Sequence, residues 1–137
     1  MKLLTAFFML AALTGSTQAN GIQRKVHVDC EFGLKSGTEV LVKEAGMNLR
    51  FVDMVEDSRC PEGVDCIWAG NGKITLTVKQ GKHKSVSFEL NTNTEPLSFI
   101  YQGYAITLVK LAPYPKDGVA VKKAEYVATL KVTRKKA

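Results

Sequence analysis

The chain has 137 residues, of which 45% are hydrophobic and 23% charged, a balance that suits one globular domain and excludes wholesale disorder. Nineteen Lys and Arg stand against thirteen Asp and Glu, and this net charge of +6 is too modest and too dispersed to imply nucleic-acid binding by itself. No collagen period, heptad run, internal repeat or low-complexity tract is present.

At the N-terminus, Met1-Lys2 is a short positive start, residues 3–13 form an eleven-residue apolar run, and a polar stretch over 14–18 leads to Ala19. That order is the one of a secretory signal, with Thr17 and Ala19 at the −3 and −1 positions of an expected cleavage. The run is too short to cross a bilayer, which takes about 20 residues, and no later stretch is apolar enough to form a membrane span. No cysteine directly follows Ala19, which argues against a lipid anchor there. The expectation is an exported chain, periplasmic or secreted, with a single domain over residues 20–137 that carries 18 bases and 13 acids.

Beyond that point the hydrophobic period is mostly two. Residues 73–79 and 85–90 alternate without a fault and are separated by the natural hairpin tip Gln80-Gly81. Earlier strands are expected over 26–32, 38–43 and 48–55, with a turn at Ala45-Gly46; later ones over 97–101 and 104–112, turned by Gln102-Gly103. In the last segment Ala124, Tyr126, Ala128, Leu130 and Val132 are expected to face inward. Gly46 interrupts the one stretch, 39–56, that otherwise reads as helical. About eight short strands without an amphipathic helix predict an all-β domain, an antiparallel β-sandwich or a small barrel.

The densest constellation lies at residues 56–70. Cys60 and Cys66 are six residues apart, with Pro61, Gly63 and acidic side chains between them. In an exported chain they are most simply read as a disulfide that pins a tight loop, a ring worth about 2 kcal/mol from loop-closure entropy. Cys30 is then free, buried or available for an intermolecular bond, and the two other pairings stay open. Trp68, the only tryptophan, is expected on the strand face of Cys66, where it would cover the bridge and be mostly buried.

The loop is also the expected contact region, because rigidly held loops concentrate function. Its candidate binding residues are Glu56, Asp57, Arg59, Glu62 and Asp65. Each has an architectural reading beside the functional one: Asp57 or Ser58 caps the turn, and Arg59 pairs with Asp57 or Glu62 or donates to loop carbonyls. The acids lack the spacing of a known calcium loop. Zinc or copper on His27, Cys30 and His83 is disfavoured, since residues three apart on a strand face opposite sides. No metal or other cofactor is expected.

The stretch Asp57-Ser58-Arg59-Cys60-Pro61, followed by Cys66-Ile67-Trp68-Ala69-Gly70, resembles a signature shared by a group of small exported bacterial proteins and lipoproteins. The run Leu111-Ala112-Pro113-Tyr114-Pro115 and the strand-like C-terminus are similar to the end of those chains. The resemblance implies bacterial export and a single β-rich domain, and it carries over no catalytic residue and no ligand.

No nucleophile elbow, phosphate loop or H-E-x-x-H is present, and His83, between Lys82 and Lys84, reads as part of a solvated basic turn. Residues 29–66 hold nine acids and four bases, whereas 67–137 hold four acids and twelve bases. If that asymmetry survives folding, Lys122-Lys123 and residues 134–136 form one patch suited to an anionic partner. Nucleic acid is not expected, because no aromatic residue interleaves those lysines. The sequence thus points to a binding module whose partner is a protein or an anionic envelope component. An envelope hydrolase with its site beside the loop, or an inhibitor presenting the loop to a secreted enzyme, are the alternatives. Convergent acids in a pocket would favour the hydrolase.

Overall fold

A computed structural model describes residues 21–136; the expected signal segment, residues 1–19, lies outside the described residues. The chain is all-β and forms nine strands: β1 (Lys25–Val26), β2 (Glu31–Lys35), β3 (Glu39–Val42), β4 (Met47–Asp57), β5 (Gly72–Gln80), β6 (Val86–Asn91), β7 (Ser98–Tyr101), β8 (Tyr104–Ala112) and β9 (Val127–Arg134). They build two sheets, ordered β1-β3-β4-β5-β6 and β2-β9-β8-β7, so the architecture is a sandwich and not a closed barrel. No helix among the described residues is long and apolar enough to cross a membrane.

The alternation visible in the sequence sets the packing. Ile74, Leu76 and Val78 of β5 and Ala128, Leu130 and Val132 of β9 are fully buried, and they meet Leu49, Phe51, Leu90 and Ile106 between the sheets. Phe88 of β6 stacks on Phe99 of β7 with ring centroids 4.2 Å apart, which joins the two sheets along one open side. The stretch 39–56 is the hairpin β3-β4, not a helix, because a period of two buries Val40, Val42, Met47, Leu49 and Phe51 on one face.

Three local expectations are corrected. The segment 26–32 is not one strand: Asp29 adopts φ 64°, its N–H donates to the Val132 carbonyl at 2.8 Å, and the chain crosses there from one sheet to the other. As a result β1 is added parallel to β3, the one exception to antiparallel pairing among the described strands. Ala124 is exposed in a short 3-10 turn, Lys123–Glu125, so the inward row begins at Tyr126. Finally, Lys122-Lys123 and residues 134–136 do not form one patch. They stand at opposite ends of β9, whose eight residues span roughly 25 Å, and Lys123 pairs with Asp53 at 3.3 Å.

Register shifts decide what reaches the loop end of the sandwich. β4 carries two, between Phe51 and Asp53 and between Met54 and Glu56. Each extra residue inverts the alternation, so Met54 is turned inward by the first and Asp57 by the second, while Glu56 stays exposed opposite Lys73. A shift in β8 between Leu108 and Lys110 likewise buries Leu111.

Candidate functional site

Residues 58–71 connect β4 to β5, and their stems are tied backbone to backbone. The Ser58 N–H donates to the Asn71 carbonyl at 2.8 Å, the Asn71 N–H to Ser58 Oγ at 3.0 Å, and the Cys60 N–H to the Ala69 carbonyl at 2.9 Å. Gly70 sits at φ 70°, where a Cβ would overlap the Ser58 carbonyl oxygen, so only glycine allows this close pairing. Neighbouring loops brace the same base. Asn71 Nδ2 donates to Asn91 Oδ1 at 2.8 Å, and Asn93 Nδ2 donates to the Gly70 carbonyl at 2.8 Å.

Beyond the stems, Cys60 and Cys66 are joined by the expected disulfide, with Cα atoms 5.9 Å apart. Cys30 is free and exposed. The loop's outer arm is held from the β8-β9 connection: the Tyr114 hydroxyl donates to the Cys60 carbonyl at 2.8 Å, and the Glu62 N–H to the Pro115 carbonyl at 3.0 Å.

Arg59 is the centre of this arrangement and only 5% exposed. Its Nε and Nη2 donate to the two carboxylate oxygens of Asp57, each at 2.8 Å, a bidentate pair. Nη1 donates to the Leu111 carbonyl at 2.6 Å and Nη2 to the Pro113 carbonyl at 3.0 Å, while the Tyr114 ring lies 5.2 Å from the guanidinium. The Tyr126 hydroxyl completes the Asp57 shell at 2.8 Å. Burial and the Asp57 carboxylate push that hydroxyl up to about 12, so it remains a donor.

Burial alone would raise the Asp57 carboxyl. The hydrogen bonds from Arg59 and Tyr126 and the Arg59 charge outweigh it and hold the group below its usual value. A carboxyl with a depressed folded pKa stabilises fully above its unfolded value of about 3.9 and loses that contribution as the pH falls through the folded value. Melting temperature should therefore decline on acidification below about pH 4, and Asp57→Asn should remove part of that slope. An unchanged slope in the variant would show that other carboxylates set the acid limit.

The five candidate binding residues thus separate. Asp57 and Arg59 spend their polar atoms on each other and on Tyr126, Leu111 and Pro113, so they brace the base of the loop, and Arg59 also lines the groove beside it. Glu56, Glu62 and Asp65 are exposed and available. Among the described residues no group of three or more His, Cys, Asp or Glu is placed to hold a metal ion.

Trp68 is the larger correction. It does not cover the bridge: it is 81% exposed, and its chain neighbour Ile67 is 92% exposed. Residues 66–68 lie in the loop and β5 begins only at Gly72, so the strand face expected for Cys66 and Trp68 does not exist. Next to the loop lies a groove of about 440 Å³, lined by Arg59, Ala69, Asn93, Lys110, Leu111 and Tyr114 among others, with no carboxylate or imidazole in its lining. The roles of Tyr114, Tyr126 and the asparagines 71, 91 and 93 were not readable in the sequence, apart from the place of Tyr114 in the run 111–115. No family model matches the chain, and neither a curated protein nor a solved structure matches it.

Proposed function

We propose that the protein is an exported binding module that presents the disulfide-clamped loop to a protein partner in the cell envelope or outside the cell. The observation that carries this reading is the exposure of Ile67 and Trp68 on a loop whose remaining framework residues are tied inward. Leaving a tryptophan in water forgoes roughly 2–3 kcal/mol of burial, so its exposure on this loop needs a use other than folding. Tryptophan is among the residues most enriched at the energetic centre of protein interfaces, and a loop that is already rigid loses little entropy on binding. Glu62 and Asp65 then supply a charged rim. Export is supported by the residue order at 1–19, by the resemblance to exported bacterial proteins and by the disulfide, which persists in oxidising compartments.

The inhibitor reading is the special case in which the partner is a secreted enzyme, and the pinning of the loop on both arms favours it. The hydrolase reading gains nothing from the groove, whose lining lacks the acids such chemistry needs. The test is Trp68→Ala against a partner captured from envelope extract. Affinity should fall by about thirtyfold or more, while the melting temperature stays within about a degree or two of the parent. Unchanged affinity would remove Trp68 from the contact surface. A loss of about 3–5 kcal/mol in stability would restore it to the core.

A further inference from the structure

The end of the sandwich opposite the loop brings together five segments that are far apart in sequence. They are residues 27–30, the β3-β4 turn at 43–46, the β5-β6 turn at 81–85, the β7-β8 turn at 102–103 and the chain end at 134–136. Hydrogen bonds fasten them to one another. Gln80 Nε2 donates to the Ala45 carbonyl at 2.6 Å and the Gln80 N–H to the Tyr101 hydroxyl at 3.2 Å. The Lys135 N–H reaches the Gly103 carbonyl at 2.8 Å, and His27 pairs with Glu44 at 2.6 Å.

These segments carry six exposed bases, Lys43, Lys82, Lys84, Arg134, Lys135 and Lys136, and two acids, Asp29 and Glu44, for a net charge of +4 with histidines neutral. The connections at the other end, residues 36–38, 58–71, 92–97 and 113–126, hold four bases and five acids and net −1. The asymmetry is therefore one of space as well as of sequence: antiparallel pairing carries the basic turns to one end and the acidic loop to the other.

We propose that this basic end docks the protein on an anionic phospholipid surface, with the loop that bears Trp68 directed away from the membrane. Three features select a lipid surface over a protein or a strand of polymer. The charges sit on separate turns across the end of two sheets packed about 10 Å apart, so they are spread over a broad face and not aligned along one strand or loop as a linear polymer would need. Five of the six are lysines, compact and strongly hydrated charges that protein interfaces disfavour and that headgroups attract without demanding a fixed geometry. None of the exposed large apolar side chains belongs to these five segments, so the contact has no buried anchor and rests on charge. Glu44 is hydrogen-bonded by His27 and the Val28 N–H, and its negative charge is already counted in the net +4.

This surface is independent of the loop reading, and vesicle cosedimentation tests it. The purified protein should bind vesicles that contain a third phosphatidylglycerol and leave pure phosphatidylcholine vesicles free. Binding should weaken steeply as salt rises from about 50 to 200 mM. Each charge near such a surface is worth about fivefold in partitioning, so a variant with Lys82, Lys84, Arg134, Lys135 and Lys136 all changed to Ala should bind about a hundredfold more weakly or worse. Its melting temperature should be close to the parent's, because all five side chains are exposed. Lys122→Ala with Lys123→Ala, at the far end, and Trp68→Ala should each bind as the parent does.

The proposal would be overturned by equal binding to the two vesicle types, retained binding by the variant with five substitutions, equal loss in the Lys122/Lys123 variant, or loss in Trp68→Ala, which would turn the molecule over. Tighter binding to dextran sulfate than to charged vesicles at equal charge would assign the end to a soluble polyanion and overturn it as well.

Discussion

Arg59→Met should cost about 3–5 kcal/mol of folding stability, measured by urea unfolding at neutral pH. Methionine fills the same channel but leaves Asp57 as a half-buried carboxylate with Tyr126 as its one remaining side-chain donor, and it strips the guanidinium from the Leu111 and Pro113 carbonyls. Arg59→Lys should recover only a small part, because one ammonium cannot reproduce a planar fork that reaches two carboxylate oxygens and two carbonyls. Asp57→Asn in the Arg59→Met background should cost less than in the parent, since the unpaired charge is then gone. A loss below about 1 kcal/mol for Arg59→Met would show that the loop base holds without its ion pair.

The second large effect is expected at Gly70. Alanine there meets two penalties: a left-handed backbone, worth about 1–2 kcal/mol, and overlap of its Cβ with the Ser58 carbonyl oxygen, which can be relieved only by parting the Ser58-Asn71 and Cys60-Ala69 backbone pairs. Together these should amount to at least about 3 kcal/mol. Gly63→Ala isolates the first penalty. That residue has a similar φ of 84° but open space where its Cβ would stand, so it should lose only about 1–2 kcal/mol. Equal losses at the two positions would sink the argument that close strand approach at Ser58 is what makes Gly70 necessary.

Residues 57–70 divide by physical role. Asp57 and Arg59 pair, Ser58 ties one stem to the other, Cys60 and Cys66 close the ring, and Gly70 permits the stems to meet. Ile67 and Trp68 serve none of these ends, which is why they carry the functional reading.

How far the sequence reaches depends on the range of the interaction being read. The β5-β6 and β7-β8 hairpins, the inward rows of β5 and β9 and the bridge between Cys60 and Cys66 all follow from spacing within a few residues, because side-chain parity and ring closure are local. Parity fails where the register shifts. Nothing in residues 50–57 announces the two extra residues of β4, and without them strict alternation from Phe51 would turn Asp53 and Val55 inward in place of Met54. It fails again at Trp68, where the chain is a loop with no strand neighbour to impose a face.

By itself, then, the sequence determined an all-β chain of short alternating strands and a clamped loop between two of them. Only the tertiary structure decided that Arg59 and Asp57 lie inside and Trp68 outside, and that Lys82 and Lys84 share an end with the C-terminus while Lys122 and Lys123 do not. The reason is distance along the chain: the carbonyls that fix Arg59 are 52 and 54 residues away and the hydroxyl that fixes Asp57 is 69 away. Hydrogen bonds of that separation are set by which strands become neighbours, and no local period records them.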